Sequence, residues 1–458
     1  MRSVPLALAG CLVCNLGNAQ THWVGTGVPI DFDWLHNVYN DTTTDALYLG
    51  GIASSIPFNG TQGMPLMSWK DQEWDTLAVF GNEVRSVLRW GDTLVVAGVF
   101  ETVNGDTMPA LAGLVDGQWT SFGQVTDGGM AKVKIIDGDL FALGGFSYID
   151  GHLCNGIAKR LGGQWVSVGP IMNSVTCNIQ DLTKYNGQLV ATGAIHFTGI
   201  PYSNIMIQAA DSTWGPVGPN GLLGGFSSGR CVTVYQGDLY VGGSIPVLAG
   251  NAGHGIMRWD GNQWNAVGGG LTYLPNNYTY LTGAIDFLER DGLLFVAGSF
   301  NYADGNLPAT GVATWDGAQW CGLGGTLDGP VNSIAFYHDT LYAACFHNAD
   351  GIDVNCAAKF IGSSYADTCG VPVGLAEQPS TNDQPLLWPN PASEFVTVSG
   401  QRRAATAFVY NALGRLVLVS DLHQSNRIDV RDLSGGMYLL VVRNAQGRGL
   451  ARTTFLKE

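Results

Sequence analysis

The 458-residue sequence predicts an all-β chain: a seven-bladed β-propeller, with an N-terminal strand closing the last blade, followed by a small immunoglobulin-like β-sandwich. Three observations predict it. Glycine occupies 64 positions while charged residues make up only 13% of the chain, a balance that suits short strands joined by many turns. A leucine-centred phrase returns at Leu47, Leu94, Leu140, Leu189, Leu239, Leu294 and Leu341, with spacings of 47, 46, 49, 50, 55 and 47 residues. A tryptophan phrase keeps step with it at Trp74, Trp119, Trp165, Trp214, Trp264 and Trp320. A period of 45–50 residues is that of one propeller blade.

Each repeat parses into four strands. In the fifth, "CVTVYQ" (231–236) alternates apolar and polar residues, a tight Gly turn follows, and "LYVGG" (239–243) forms the second strand. After a longer loop come "GIMRWD" and "QWNAVG", joined by Asp260-Gly261. Alternation at period two around Asp-Gly turns is the signature of consecutive hairpins. The tryptophan after the turn is a large side chain suited to packing between blades.

The two ends of the repeat array complement each other. The seventh unit ends in "SSYADTCG", where Tyr365 stands at the expected tryptophan position in a poor strand. "THWVGTG" (21–27) reads as an isolated fourth strand carrying Trp23. Pairing the N-terminal strand with the last unit, near 355–361, balances the count and removes a long exposed edge.

These units resemble kelch repeats, most clearly in "LYVGG…RWDGNQW", and the resemblance spans about residues 21–369. Most units carry only one Gly of the usual pair and lack the usual Arg between repeats. The resemblance implies the fold. Kelch propellers include both oxidases and partner-binding modules, so the fold alone does not choose a function.

Residues 370–385, "GVPVGLAEQPSTNDQP", read as a linker. Residues 386–458 then form a separate β-rich unit. Pro389-Asn390-Pro391, Tyr410 through Gly414, and Leu433-Ser434 with Gly436-Met437-Tyr438 and the basic Lys457 occur there in order. This run closely resembles the type A C-terminal sorting domain of the bacterial type IX secretion system. The resemblance implies passage through the periplasm, recognition at the outer membrane, and usually proteolytic removal of the domain. Attachment to lipopolysaccharide or release into the medium would follow, so the protein is expected to be secreted or held on the outer surface. Glu458 after the terminal Lys is a departure from the pattern.

The first nineteen residues read as a signal peptide cleaved between Ala19 and Gln20. Leu8 to Cys11 matches a lipobox as the rival reading, though it leaves a short apolar run. No later stretch is apolar enough for a transmembrane helix. The formal charge of −15 is unevenly spread: residues 386–458 carry nine Lys/Arg against five Asp/Glu and the signal segment one Arg, so twelve Lys/Arg face thirty-two Asp/Glu in the body. An acidic body argues against nucleic acid and anionic membranes as partners. Seven cysteines follow the signal, an odd number, and Cys345 with Cys356 is the candidate disulfide, across adjacent strands of the seventh unit.

Catalytic motifs are sparse. Gly225–Gly229 matches GxSxG around Ser227, but without the strand–turn–helix setting the motif needs. His152, His196, His254 and His347 scatter over loops of different units, and Asp304 and Asp350 sit in Asp-Gly turns that turn formation already explains. No cofactor is implied. Loop lengths say more. The turns between first and second strands are uniformly tight, whereas 52–63, 195–204, 219–230 and 268–281 are long. Variable loops on a rigid scaffold carry function, and Tyr273, Tyr278 and Tyr280 supply aromatic planes there for binding. The favoured reading is a binding or adhesion module for an extracellular glycan, peptide or protein; the alternative is an extracellular hydrolase or lyase acting on polysaccharide or peptide.

Overall fold

The computed structural model describes residues 21–458 apart from 126, 170–177, 196–203, 219–221, 223–227, 248–249, 275–281, 345–346, 366–368, 370–386, 399–404, 412–415, 423–424 and 445–448. The signal segment, its Ala19–Gln20 junction, Tyr278, Tyr280, Cys345, Ser227, His196 and Gly414 lie outside the described residues. The described residues are almost entirely strands and turns, and they fall into two compact units, Met1–Leu375 and Ala376–Glu458.

In the N-terminal unit each repeat contributes its strands to one antiparallel sheet, four-stranded in all but the first, where further short strands extend it. The first strands are Phe32–Asp41, Val84–Trp90, Met130–Ile136, Asn178–Tyr185, Ser228–Tyr235, Gly283–Arg290 and Ser333–Tyr337. Each touches the first strand of the following sheet, and Ser333–Tyr337 touches Phe32–Asp41, so the succession returns on itself. Side chains seal that last junction: the Val38 amide donates to Ser333 Oγ at 3.3 Å, and Asn40 Nδ2 to the Phe336 carbonyl at 2.7 Å. The tight turns obey their chemistry. Asp137 and Gly138 both adopt positive φ, 52° and 84°, as the two-residue turn matching strand twist requires.

The seventh sheet takes its fourth strand from the chain start. Trp23–Gly25 pairs antiparallel with Ala357–Phe360, placing Trp23 opposite Phe360. Asp350 anchors the junction, its Oδ2 accepting the His22 and Trp23 amides at 2.7 and 2.9 Å and its Oδ1 the Thr326 amide at 2.7 Å. Asp304 does the same for the Gly269 amide at 2.6 Å. Both carboxylates therefore serve as backbone latches between sheets. Tyr365 packs its ring against Phe295, Phe336 and Phe360 instead of continuing a strand.

The recurrent tryptophan has one job in six sheets. Its indole N–H donates to a backbone carbonyl in or beside the fourth strand of the preceding sheet: Trp74 to Thr26, Trp165 to Phe122, Trp214 to Val168, Trp264 to Val217, Trp320 to Val267 and Trp23 to Gly324, at 2.9–3.3 Å. Where a second tryptophan precedes the turn, the two rings tilt together across it. Trp69 with Trp74, Trp259 with Trp264, and Trp315 with Trp320 lie 5.2–5.3 Å apart. A buried indole needs both apolar contact and one acceptor, and the gap between sheets supplies both.

The cysteines pair differently from the expectation. Cys356 is a free buried thiol whose Sγ donates to the Phe32 carbonyl at 2.8 Å, so it forms no bridge to Cys345. Among the described residues the disulfide is Cys321–Cys369, which ties the sixth sheet's fourth strand to the segment after the seventh sheet. Both partners of the expected bridge belong to one repeat, whereas this one links residues 48 apart. Burial pushes the thiols of Cys154 and Cys356 up, to about 11 and about 12, so neither is a nucleophile at neutral pH.

The C-terminal unit holds two sheets, one of Leu387–Trp388, Phe395–Val398 and Arg427–Asp429, the other of Ala405–Asn411, Leu416–Asp421, Gly436–Asn444 and Gly449–Lys457. Val396, Val398, Val409, Ile428, Leu440 and Phe455 share one core between them.

Candidate functional site

The first strand of a buried sheet should be apolar at its inward positions, yet one column breaks that rule. Asn37, Ser86, Lys132, Asp181, Cys231, Asp286 and Ser333 each follow a register shift, or occupy the matching place, in their first strands. The column has a backbone purpose. Oxygens of Asn37, Ser86, Asp181, Asp286 and Ser333 accept the amides of Val87, Val133, Val232, Ile334 and Val38 in the next sheet, at 3.1–3.3 Å. Lys132 and Cys231 offer no such acceptor. There the following sheet serves itself, Leu182 N donating to Asp181 Oδ1 and Phe287 N to Asp286 Oδ1. An unsatisfied buried amide is costly, and all seven are satisfied.

Between these first strands lies a cavity of about 1110 Å³. Its wall includes the starts of first strands at Asn178, Ser228 and Gly283 and the ends of second strands at Ala194, Ser244 and Ser299. It therefore reaches the side where the long loops leave the sheets. Tyr273, on the long loop before the sixth sheet, lines it. The long loop supplies an aromatic at the wall, while the loop's remaining tyrosines, Tyr278 and Tyr280, are not among the described residues.

Two charged groups dominate the wall. In the first, Glu83 is 7% exposed, and its carboxylate takes Arg85 Nε and Nη2 at 2.9 and 3.0 Å. His36 Nε2 stands 2.5 Å from the same carboxylate. Burial alone would raise Glu83, but the His36 and Arg85 hydrogen bonds overcome it and hold the carboxyl down at about 2. In the second group Asp181, 3% exposed, receives Lys134 Nζ at 2.8 Å and faces Lys132 Nζ at 3.4 Å. Burial works against its ionisation, and the two lysines reverse that and lower it. Asp286 has no lysine in hydrogen-bond range, and burial pushes its carboxyl up.

These shifts fix a pH dependence. Glu83 titrates near 4.5 when unperturbed and at about 2 when folded. A depressed carboxyl contributes stability that is complete above the unfolded value and disappears as pH falls through the folded one. The contribution is on the order of 2–3 kcal/mol. Asp286 acts with the opposite sign, since protonating a raised carboxyl relieves the native state. Urea unfolding of wild type and Glu83→Gln between pH 4.5 and 2 isolates the first effect. The variant is expected to lose stability at neutral pH and to show a flatter acid limb; parallel limbs would contradict the pairing.

Sequence reasoning placed Tyr273 on a functional loop but missed Glu83, Arg85, Lys132, Lys134, Arg230 and Asp286. A signal for two of the cavity's polar positions, Lys132 and Asp286, existed. Aligned by their leucines, the repeats place Lys132, Asp181 and Asp286 in one column of otherwise apolar strands. Among the described residues, no group of three His, Cys, Asp or Glu side chains is arranged to hold a metal ion. The residues after Ser227 run directly into the strand Ser228–Tyr235, which is no setting for a nucleophile turn.

In the C-terminal unit the motif residues converge on the last strand. Asn390 Oδ1 accepts the Leu456 amide at 2.9 Å, and the Asn390–Pro391 peptide is cis. Ala392 and Leu456 pair through the backbone, and the Glu458 amide donates to the Ala392 carbonyl. Tyr438 stacks on Phe455 and donates its hydroxyl to the Ser434 carbonyl at 2.8 Å. Gly436 begins the strand that pairs with Lys457, which is 8% exposed. Residues 386–453 match the family described as the secretion system C-terminal sorting domain. The C-terminal unit is a sorting domain of that family. The sorting domain directs export by type IX secretion to the cell surface or the extracellular space. No helix among the described residues is long and apolar enough to cross a membrane.

No curated protein matches the chain by sequence. Among solved structures it is similar to the extracellular domain of BT4673 from B. thetaiotaomicron, described as a hybrid two component system, with 12% identity and a TM-score of 0.46 over 96% of this chain and 59% of that one. The extracellular domain of BT3049 from B. thetaiotaomicron is similar at 10% identity and a TM-score of 0.49, over 96% and 58%. A fungal alcohol oxidase of the AA5 family, in complex with copper, is similar at 13% identity and a TM-score of 0.41, over 93% and 98%. The chain spans about three fifths of the length of the two extracellular domains.

Proposed function

We propose that the seven sheets are the blades of a kelch-like β-propeller spanning residues 20–369, with an immunoglobulin-like sorting sandwich over 386–458. In this reading, type IX secretion delivers a binding module to the cell surface or medium. Lipopolysaccharide is one candidate attachment point. The module takes an extracellular glycan, peptide or protein on its long-loop side. One observation carries the reading: a cavity of about 1110 Å³ reaches that side with Tyr273 on its wall. Concave sites of this size with a few placed polar groups are ordinary ligand sites. Binding is favoured over hydrolysis because the described carboxylates of the wall are already engaged. Glu83 is held ionised by Arg85 and His36, and Asp286 accepts two backbone amides.

A glycan array followed by hydrogen-exchange mapping tests the reading. Protection is expected over residues 267–283 and at the starts of the first strands. Replacing Tyr273, Tyr278 and Tyr280 together by alanine should weaken binding by about 2 kcal/mol or more if one of them is a hot spot, with the unfolding transition unchanged. Protection confined to the tight-turn side would reject the site.

A further inference from the structure

Cations are scarce in the body of this chain. Of 22 Lys and Arg, one lies in the signal segment and nine in residues 386–458, leaving twelve against thirty-two Asp and Glu. Four of those twelve, Arg85, Lys132, Lys134 and Arg230, line this cavity. The charge of the cavity wall thus departs from that of the chain that builds it. Three of the four are committed, Arg85 to Glu83 and both lysines to Asp181. Arg230 is exposed and makes no hydrogen bond or ion pair among the described residues. It lines the same cavity as Arg85, whose positive charge disfavours a second one there. Two like charges facing one space, one of them without a counter-ion, create a demand that an anion would meet.

The rest of the wall limits what carries that anion. Asn178, Gln180 and Asn332 present side-chain amides, and Trp34 and Tyr273 present aromatic faces. Hydroxyl-rich rings use that mixture: amides for hydroxyls and aromatic planes for the ring's C–H face. A peptide would more naturally add as a strand. That route is disfavoured here, because one mid-strand amide in every first strand is already capped by a side chain.

We infer that the cavity binds an acidic oligosaccharide, with Arg230 as the residue that receives its anionic group and Arg85 on the same wall. This inference rests on the cavity being the ligand site. The anionic group is a carboxylate or a sulfate ester, since a guanidinium pairs with either.

The test uses calorimetry on the full chain with four probes: short oligogalacturonate, a chondroitin sulfate oligosaccharide, a neutral cello-oligosaccharide and an oligoglutamate peptide. At least one of the two acidic sugars is expected to bind, with affinity falling as salt rises, and which one binds identifies the anion. Arg230→Gln is expected to weaken that binding at least tenfold while the unfolding transition stays in place, and Arg230→Lys to recover part of it. No binding of either acidic sugar overturns the inference. So does oligoglutamate binding as tightly as the acidic sugar. Neutral-sugar binding that is lost in Tyr273→Ala but kept in Arg230→Gln overturns the acidic selectivity and leaves the cavity as the site. Acidic-sugar binding untouched by both substitutions overturns the selectivity and the site together.

Discussion

Replacing Trp23 by alanine is expected to destabilise the N-terminal unit by about 3–5 kcal/mol, and deleting residues 20–28 by more. Trp23 is 1% exposed and sits edge-on to Phe360 at 5.2 Å. Its indole reaches the Gly324 carbonyl, and its amide is held by Asp350. Around it lie Leu323, Leu327, Val354 and Ala358, all buried in the same cluster. The alanine variant leaves a cavity that two rigid sheets cannot close. The deletion goes further. It exposes the outer edge of Ala357–Phe360, frees the Ile361 amide from the His22 carbonyl, and removes the Thr26 carbonyl that accepts the Trp74 indole. The loss thus reaches the first sheet as well as the seventh. Urea unfolding followed by tryptophan fluorescence measures both variants. A deletion that unfolds at the wild-type midpoint would falsify the closure.

Removal of residues 386–458 is expected to abolish surface delivery while leaving the N-terminal unit folded. Each unit has its own core, so the truncation takes no side chain from the cores of the sheets described above. The address is lost because the sorting domain is what the export machinery reads. Fractionation of the native host should find the truncated protein in the periplasm, with a far-ultraviolet spectrum and an unfolding midpoint like those of the N-terminal unit in the full chain. Surface labelling of the truncated protein at wild-type levels would show that export needs no sorting domain. A finer version replaces Asn390 by alanine. That removes the acceptor of the Leu456 amide, and partial retention is expected as the last strand loosens.

Much of the architecture was legible before any coordinates. The repeat period and the position of each turn come from local chemistry: Asp-Gly and Asn-Gly pairs tolerate positive φ, and alternating side chains set the strand face. The pairing of residues 21–27 with 355–361 followed from counting strands, and it appears as Trp23 opposite Phe360. The order of Pro389-Asn390-Pro391, Gly436 and Tyr438 was enough to announce the sorting domain, because sorting motifs are contiguous runs whose spacing survives in one dimension.

What only the tertiary structure decided is everything made by residues one repeat apart. The Cys321–Cys369 bridge joins two repeats, and nothing in the spacing of seven cysteines distinguishes it from Cys345 with Cys356. The cavity is the sharper case. Lys134 meets Asp181 across 47 positions, and Arg230 and Arg85, from different repeats, line one cavity. A lone charge in an alternating strand looks like a solvent-facing position when read alone, because sequence distance carries no information about which strands face one axis. Closing the succession of first strands turns that scattered column into one wall. The same physical fact explains both outcomes: turns, strands and sorting motifs are set by neighbours along the chain, whereas a binding site between sheets is set by neighbours across it.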